Sequence, residues 1–174
     1  ALALDGYTGT QHIPVQVPYY DDLVRFFGAA GFTHNATIGV GGGITNEGYL
    51  LQSEEFWRDP KQQRFIPSAA LASLRRRTIR PRTDYMFPLQ AQGLQEMVHH
   101  GGFAAIGSHG QFPGLSPHGE IWLLAEAMSP LDALRSASVH GAHFLGVQRD
   151  LGTLERGKLA DLVVLHGNPL ENIR

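Results

Sequence analysis

The chain has 174 residues, 43% of them hydrophobic and 17% charged, with a net charge of −2 and no cysteine. That length suits one domain with a real core. The balanced charge gives no electrostatic footprint for nucleic acid or an anionic membrane. Without cysteine there are no disulfides and no thiolate metal sites, so any metal must be held by His, Asp or Glu. No apolar run approaches the roughly 20 residues of a membrane span, and no signal segment is visible, so the default compartment is cytoplasmic. The low charge fraction points to surface buried in an interface. The chain opens at Ala1 rather than Met and soon enters core-like sequence, as a processed protein or a fragment would.

In chain order, Asp5-Gly6 and Thr8-Gly9 are turn signals. Thr10 to Ile13 reads as a short strand stopped by Pro14, with His12 near its carboxyl end. Pro18 opens a helix with an apolar stripe of Leu23, Val24, Phe26 and Phe27, closed by Gly28 and Gly31. Phe32 to Val40 reads as the next strand, cut off by Gly41-Gly42-Gly43. Residues 44–68 read as a long irregular insertion, a lid or disordered. Ser68 caps a short helix to Leu74. Arg75-Arg76-Arg77, Arg80 and Arg82 form a basic cluster, either a solvated face or a site for a carboxylate or phosphate.

Phe87 to His100 is predicted as a helix with Leu89, Leu94 and Val98 inward, and His99-His100 suit the dipole of its last turn. Gly101-Gly102 ends it. Phe103 to Ile106 is a short apolar run that drives into Gly107-Ser108-His109-Gly110-Gln111. A buried parallel strand delivers a side chain to a mouth in this way, and the flanking glycines permit close approach. A helix spans about Pro117 to Ala127. Ser129-Pro130-Leu131-Asp132 then approximates a capping box. Its helix places Leu131, Leu134, Ala137 and Ala142 on one face and ends near Gly146. Alternation of strand and helix predicts βαβ units and a parallel sheet. The tail differs: Gly152-Thr153-Leu154, a turn at Glu155-Arg156-Gly157-Lys158, and Ala160 to Leu165 read as two short strands of a separate small sheet. Leu162 to Leu165 lacks alternation, so it is expected to be buried on both faces.

Leu151-Gly152-Thr153-Leu154-Glu155-Arg156-Gly157-Lys158-Leu159-Ala160-Asp161-Leu162-Val163-Val164-Leu165 resembles the C-terminal signature of metal-dependent amidohydrolases. Ser129-Pro130-Leu131-Asp132-Ala133-Leu134 and Gly141-Ala142-His143-Phe144-Leu145-Gly146 resemble the helix before that signature. Asp5-Gly6-Tyr7-Thr8-Gly9-Thr10-Gln11-His12 is similar to the sixth barrel strand of that superfamily. The nearest subgroup is imidazolonepropionase-like and prolidase-like. The resemblance implies an α/β fold: the last three strands of a (β/α)8 TIM-like barrel, over residues 1–148 with a long insertion at 41–86. It also implies the C-terminal strands of a small β-sandwich, over 149–174. A full barrel of this kind takes about 250 residues. Its first-strand His-x-His pair, bridging lysine or glutamate and fifth-strand histidine would precede Ala1.

Carried over residue by residue, His12 matches the sixth-strand metal histidine. Neutral imidazole ligates zinc well, and barrel enzymes place function at strand carboxyl ends. Gln11 stands where a glutamate is common. Ser108-His109 falls where the family has Thr-Asp or Ser-Asp, the aspartate that binds metal and acts as general base. Imidazole at His109 can ligate a metal or take a proton, with a different reach and charge. His118 and Glu120 match a loop pair near the mouth, read as loop-ordering or substrate-side groups. His140 and His143 are read as structural.

The implied activity is hydrolysis of amide, cyclic amide or peptide-like C–N bonds by water activated on a divalent metal, zinc by preference. The substrate would be a small or peptide-like molecule, with neither nucleic acid nor membrane as partner. A competing reading is an inactive fragment or non-catalytic scaffold, because a partial barrel exposes sheet edges that invite pairing. Homo-oligomerisation, or association with a missing N-terminal portion, follows from the same edges.

Overall fold

The computed structural model describes residues 2–12, 17–41, 45–53, 55–75, 78–109 and 114–174. Ile13 and Pro14, Gly42 and Gly43, Arg76 and Arg77, and Gly110 and Gln111, which figure in the sequence reading, lie outside them. Three strands form one parallel sheet in the order β1-β2-β3: β1 (Gly9–Gln11), β2 (Thr33–Ala36) and β3 (Phe103–Ile106). Thr10 pairs with His34 and Gln11 with Asn35, while Asn35 pairs with Ala105 and Ala36 with Ile106. Parallel neighbours need crossovers. Helix α1 (Asp21–Ala29) supplies the first. The second carries α2 (Glu47–Ser53), α3 (Pro60–Phe65), α4 (Ser68–Leu74) and α5 (Phe87–His99). After β3 come α6 (Ser116–Leu124), α7 (Pro130–Ser136) and α8 (Val139–Phe144).

The expected alternation holds, and the core forms where the helices meet the sheet. Val24 of α1, Leu94 and Met97 of α5, Ala36 and Ala104 of the strands and Leu123 and Leu124 of α6 are buried together. On α8, the ring of His143 stacks on Phe103 at 3.9 Å. His140 Nδ1 donates to the carbonyl of Ala104 at 3.0 Å. Both histidines therefore pack at β3, from α8 and not from the helix that Ser129 caps. No helix among the described residues is long and apolar enough to cross a membrane.

Five expectations are corrected. The second strand ends at Ala36, and Ile38–Val40 forms a 3-10 turn instead of continuing to Val40. The reason is that the Ile38 and Gly39 amides donate to the Glu120 carboxylate, which removes them from any ladder. The insertion is helical rather than irregular: Asp59 caps α3 by accepting from the Lys61 amide, and Leu51 and Leu71 gather Phe56, Trp57 and Ile66 into a satellite core. α1 begins at Asp21, three residues after Pro18, because Tyr20 is extended. The helix after Ser129 breaks into α7 and α8. Ser136 and Ser138 hydroxyls donate back to the carbonyls of Asp132 and Leu134, a bond that competes with helix propagation. Leu131 and Leu89 are exposed; the buried positions of α7 are Ala133 and Ser136, and on α5 Leu94 is buried as expected, together with Gln90 and Ala91.

The tail, expected as two short strands buried on both faces, stands apart from these elements. Residues 149–174 contain turns and irregular backbone but no strand. Leu162, Val163, Val164 and Leu165 are 60, 81, 94 and 52% exposed. A strand needs a ladder partner, and no described residue of this chain lies alongside as one. The two ends of the tail are held. Leu159 N–H donates to the Asp150 carbonyl and Lys158 Nζ to that of Gln148. Trp122 Nε1 donates to the Ile173 carbonyl, and Arg174 meets Glu126.

Candidate active site

The three strands point their carboxyl ends the same way, so whatever follows each strand gathers at one mouth. His12 follows β1, Thr37 follows β2, and Gly107-Ser108-His109 follow β3. His12 has φ 64°, a left-handed conformation. Such values are uncommon for residues other than glycine, though histidine tolerates them better than most, and they cluster at functional positions. Its Nδ1 is hydrogen-bonded to the Thr37 hydroxyl. That bond fixes the ring and leaves Nε2 directed elsewhere, the arrangement by which a second partner orients a ligating histidine. The His109 ring lies 5.5 Å from that of His12, tilted by 53°. Gly107 makes this convergence possible: a Cβ there would lie 2.8 Å from Thr37 Cγ2.

Next to the mouth is an open hollow of about 250 Å³ lined by Gly39, Glu47, His109, Ser116 and Glu120 among others. Ser116, Gly119, Glu120 and Leu123 recur at helical spacing along α6, so one face of that helix forms its wall. Glu120 is buried. Its Oε2 accepts from the Ile38 amide and its Oε1 from the Gly39 amide, both at 2.8 Å. Burial pushes its carboxyl up to about 8; the two amide bonds oppose that rise, and the charge of Glu47 adds to it. The Ser116 hydroxyl donates to Glu47 at 3.2 Å.

Of the residues singled out in the sequence, His12 and His109 come together, and Glu120 lines the adjoining hollow. Gln11 lies just below His12, its Oε1 accepting from Asn35 Nδ2 at 2.6 Å. His118 is exposed and off the lining face of α6, with its ring 6.1 Å from that of Trp122. Thr37, Asn46 and Glu47 were missed. Asn46 is fully buried: Nδ2 donates to the Ile38 carbonyl at 2.6 Å and to Gln90 Oε1 at 2.7 Å. Its Oδ1 accepts from the Met86 and Phe87 amides at the start of α5. The one sequence signal was polar residues inside a stretch otherwise read as lid.

Among the described residues no three His, Asp or Glu side chains are grouped to hold a metal ion. A catalytic zinc takes about three protein ligands. Among the described residues the paired histidines fall short of that number. The basic cluster is partly neutralised: Arg82 meets Glu126 at 3.0 Å and Arg80 meets Asp84 at 3.8 Å.

The architecture defines an α/β protein whose candidate site residues stand at the carboxyl ends of parallel strands. The model of the Amidohydrolase family matches residues 78–174, more than half of the chain, and the chain belongs to that family. Among solved structures it is similar to a Xaa-Pro dipeptidase with methionine bound in its active site, at 20% identity and TM-score 0.59, covering 98% of this chain and 37% of that one. It is also similar to a prolidase complexed with N-methylphosphonate-L-proline, at 25% identity and TM-score 0.59, over 97% of this chain and 35% of that one. A crystal structure of an amidohydrolase matches at 23% identity and TM-score 0.59, over 97% of this chain and 35% of that one. The chain therefore spans little more than a third of these structures. No curated protein matches it.

Proposed function

We propose that this chain is the C-terminal part of a hydrolase of C–N bonds, acting on small or peptide-like substrates, whose mouth is built around His12 and His109. The observation that carries the reading is the approach of the two rings to 5.5 Å at the ends of β1 and β3. Family membership supports the bond class, and the prolidase-like neighbours support a dipeptide with proline after the scissile bond.

In this reading the three strands are the last of a (β/α)8 barrel, and β1 and β3 are edges because their neighbours lie elsewhere in the protein. The exposed tail would pair with sandwich strands from the same source. A divalent metal, zinc by preference, would lower the pKa of its bound water and polarise the scissile carbonyl. His12 would offer Nε2 to it while Thr37 holds Nδ1, and the remaining ligands would come from outside this chain. His109 would accept or return a proton, or serve as a ligand. Gln11 would order the strand end, and His118 would meet the outer part of a substrate.

The test uses the complete protein carrying this chain. His12→Ala should lower stoichiometric zinc content and abolish cleavage of an Xaa-Pro dipeptide. Unchanged metal content in a folded mutant would sink the ligand assignment. The second reading, a non-catalytic associating scaffold, draws on the exposed Leu162–Leu165 strip. It would be favoured by a complete protein that assembles but cleaves no dipeptide and retains no metal.

A further inference from the structure

The mouth has a support that no sequence motif announces. Directly after Thr37, the Ile38–Val40 turn is gripped from two sides. From α6, Glu120 takes the Ile38 and Gly39 amides, 82 and 81 residues away in sequence. From the insertion, Asn46 donates to the Ile38 carbonyl, and Asn46 is itself tied to Gln90 and to the first amides of α5. The fit to Glu120 is close: a Cβ on Gly39 would lie 3.0 Å from Glu120 Oε1. Two donors converging on two oxygens ask for a carboxyl group rather than an amide. A glutamine would set an NH2 against one of the amide N–H groups.

The turn is the only covalent continuation of Thr37 toward α2, and the Thr37 hydroxyl is what His12 Nδ1 meets. We propose that Glu120 is a positioning residue: through the Ile38 and Gly39 amides it fixes Thr37, and through Thr37 it fixes the ring of His12. This rests on the proposed role of His12 at the mouth, but not on any measured hydrolysis.

The experiment uses the 174-residue chain with ¹⁵N-labelled histidine at constant pH. The ring nitrogen shifts of His12 report which nitrogen carries the proton. In Glu120→Gln, the Ile38 and Gly39 amides should exchange about tenfold faster or more, and the His12 nitrogens should move toward their values in Thr37→Val. Thr37→Val, which deletes only the hydroxyl, should shift His12 while leaving both amides protected. Gly39→Ala presses on the carboxylate from the other side and should give a smaller change of the same kind, which keeps the idea testable if Glu120→Gln does not fold. A folded Glu120→Gln or Gly39→Ala chain that loses amide protection but keeps the wild-type His12 ring signals overturns the proposal, because Glu120 then only stabilises the turn. An unshifted His12 in Thr37→Val overturns it as well. Since no substrate or metal enters the measurement, failure of the hydrolase reading would leave these outcomes intact.

Discussion

His34 shows how one buried side chain ties stability to pH. It sits in β2 with its ring edge-on to Phe27 at 4.9 Å and against Phe32 at 5.3 Å, and its Nδ1 shares a 2.9 Å hydrogen bond with Thr10 Oγ1. Burial drives its pKa down from 6.5 to about 4. A histidine depressed in the folded state contributes stability that is present above its unfolded pKa and is lost as pH falls through the folded one. From pH 7 to pH 4 the loss should be on the order of 3 kcal/mol. Glu120 runs the other way: its raised carboxyl favours the fold at low pH and loses that contribution as pH rises toward about 8. Comparing urea midpoints of the wild type and His34→Gln across that range separates the two. The variant should lack most of the acid-side loss, and parallel curves would remove His34 from the account.

Among the elements, α7, like α3 with its Asp59 cap, has a start that is specified locally. Ser129 Oγ accepts from the Asp132 amide at 3.1 Å and donates to Asp132 Oδ2 at 2.8 Å, and Pro130 occupies the first turn. Ser129→Ala should cost about 1 kcal/mol, seen as a lower thermal midpoint. The Ser129 bond is the main cause that holds the Asp132 carboxyl below its ordinary value, with Arg135 adding to it. The stability it confers is present above the unfolded carboxylate pKa and fades as pH falls, so the penalty of the mutation should shrink in acid; a constant penalty would place the effect elsewhere. This cap was legible in the sequence because all its parts lie within four residues. So were α5 and β3, whose ends are punctuated by glycines, and so was the convergence of His12 and His109 on one mouth, which follows from strand ends in a parallel sheet. The end of β2 was not legible, because what stops it is a carboxylate more than eighty residues on. Nor were Thr37 and Asn46, whose roles exist only through partners that the fold brings near. The two serines that break α7 from α8 were visible, but their return bonds to the backbone were not distinguishable from ordinary helix positions.

For the whole molecule, the uneven feature is the tail. Most of the core is shared by the helices and strands up to residue 144, whereas Leu162 to Leu165 stand in solvent between two anchored ends. Backbone that lacks a ladder partner opens easily and is cut first. Brief proteolysis of the 174-residue chain should therefore cleave within 160–167 before any helix, as mass spectrometry would show. In the complete protein the same bonds should resist. Equal protection in both would mean that nothing outside this chain covers the strip, and the proposed sandwich would lose its support.

The placement of α8 has a further consequence. It lies against Phe103 and Ala104 at the start of β3, while His109 lies past the strand's other end. One end of that strand is committed to packing, and the other carries side chains the core does not require. On the proposed reading, replacements at the two ends face different selection: at the packed end they are filtered by whether the chain folds, and at the mouth by whether the complete protein reacts. A lineage can then trade one mouth residue for another, as with a histidine where the resemblance places an aspartate, without first rebuilding its scaffold. On that reading the fold leaves its chemistry freer to change than its scaffold.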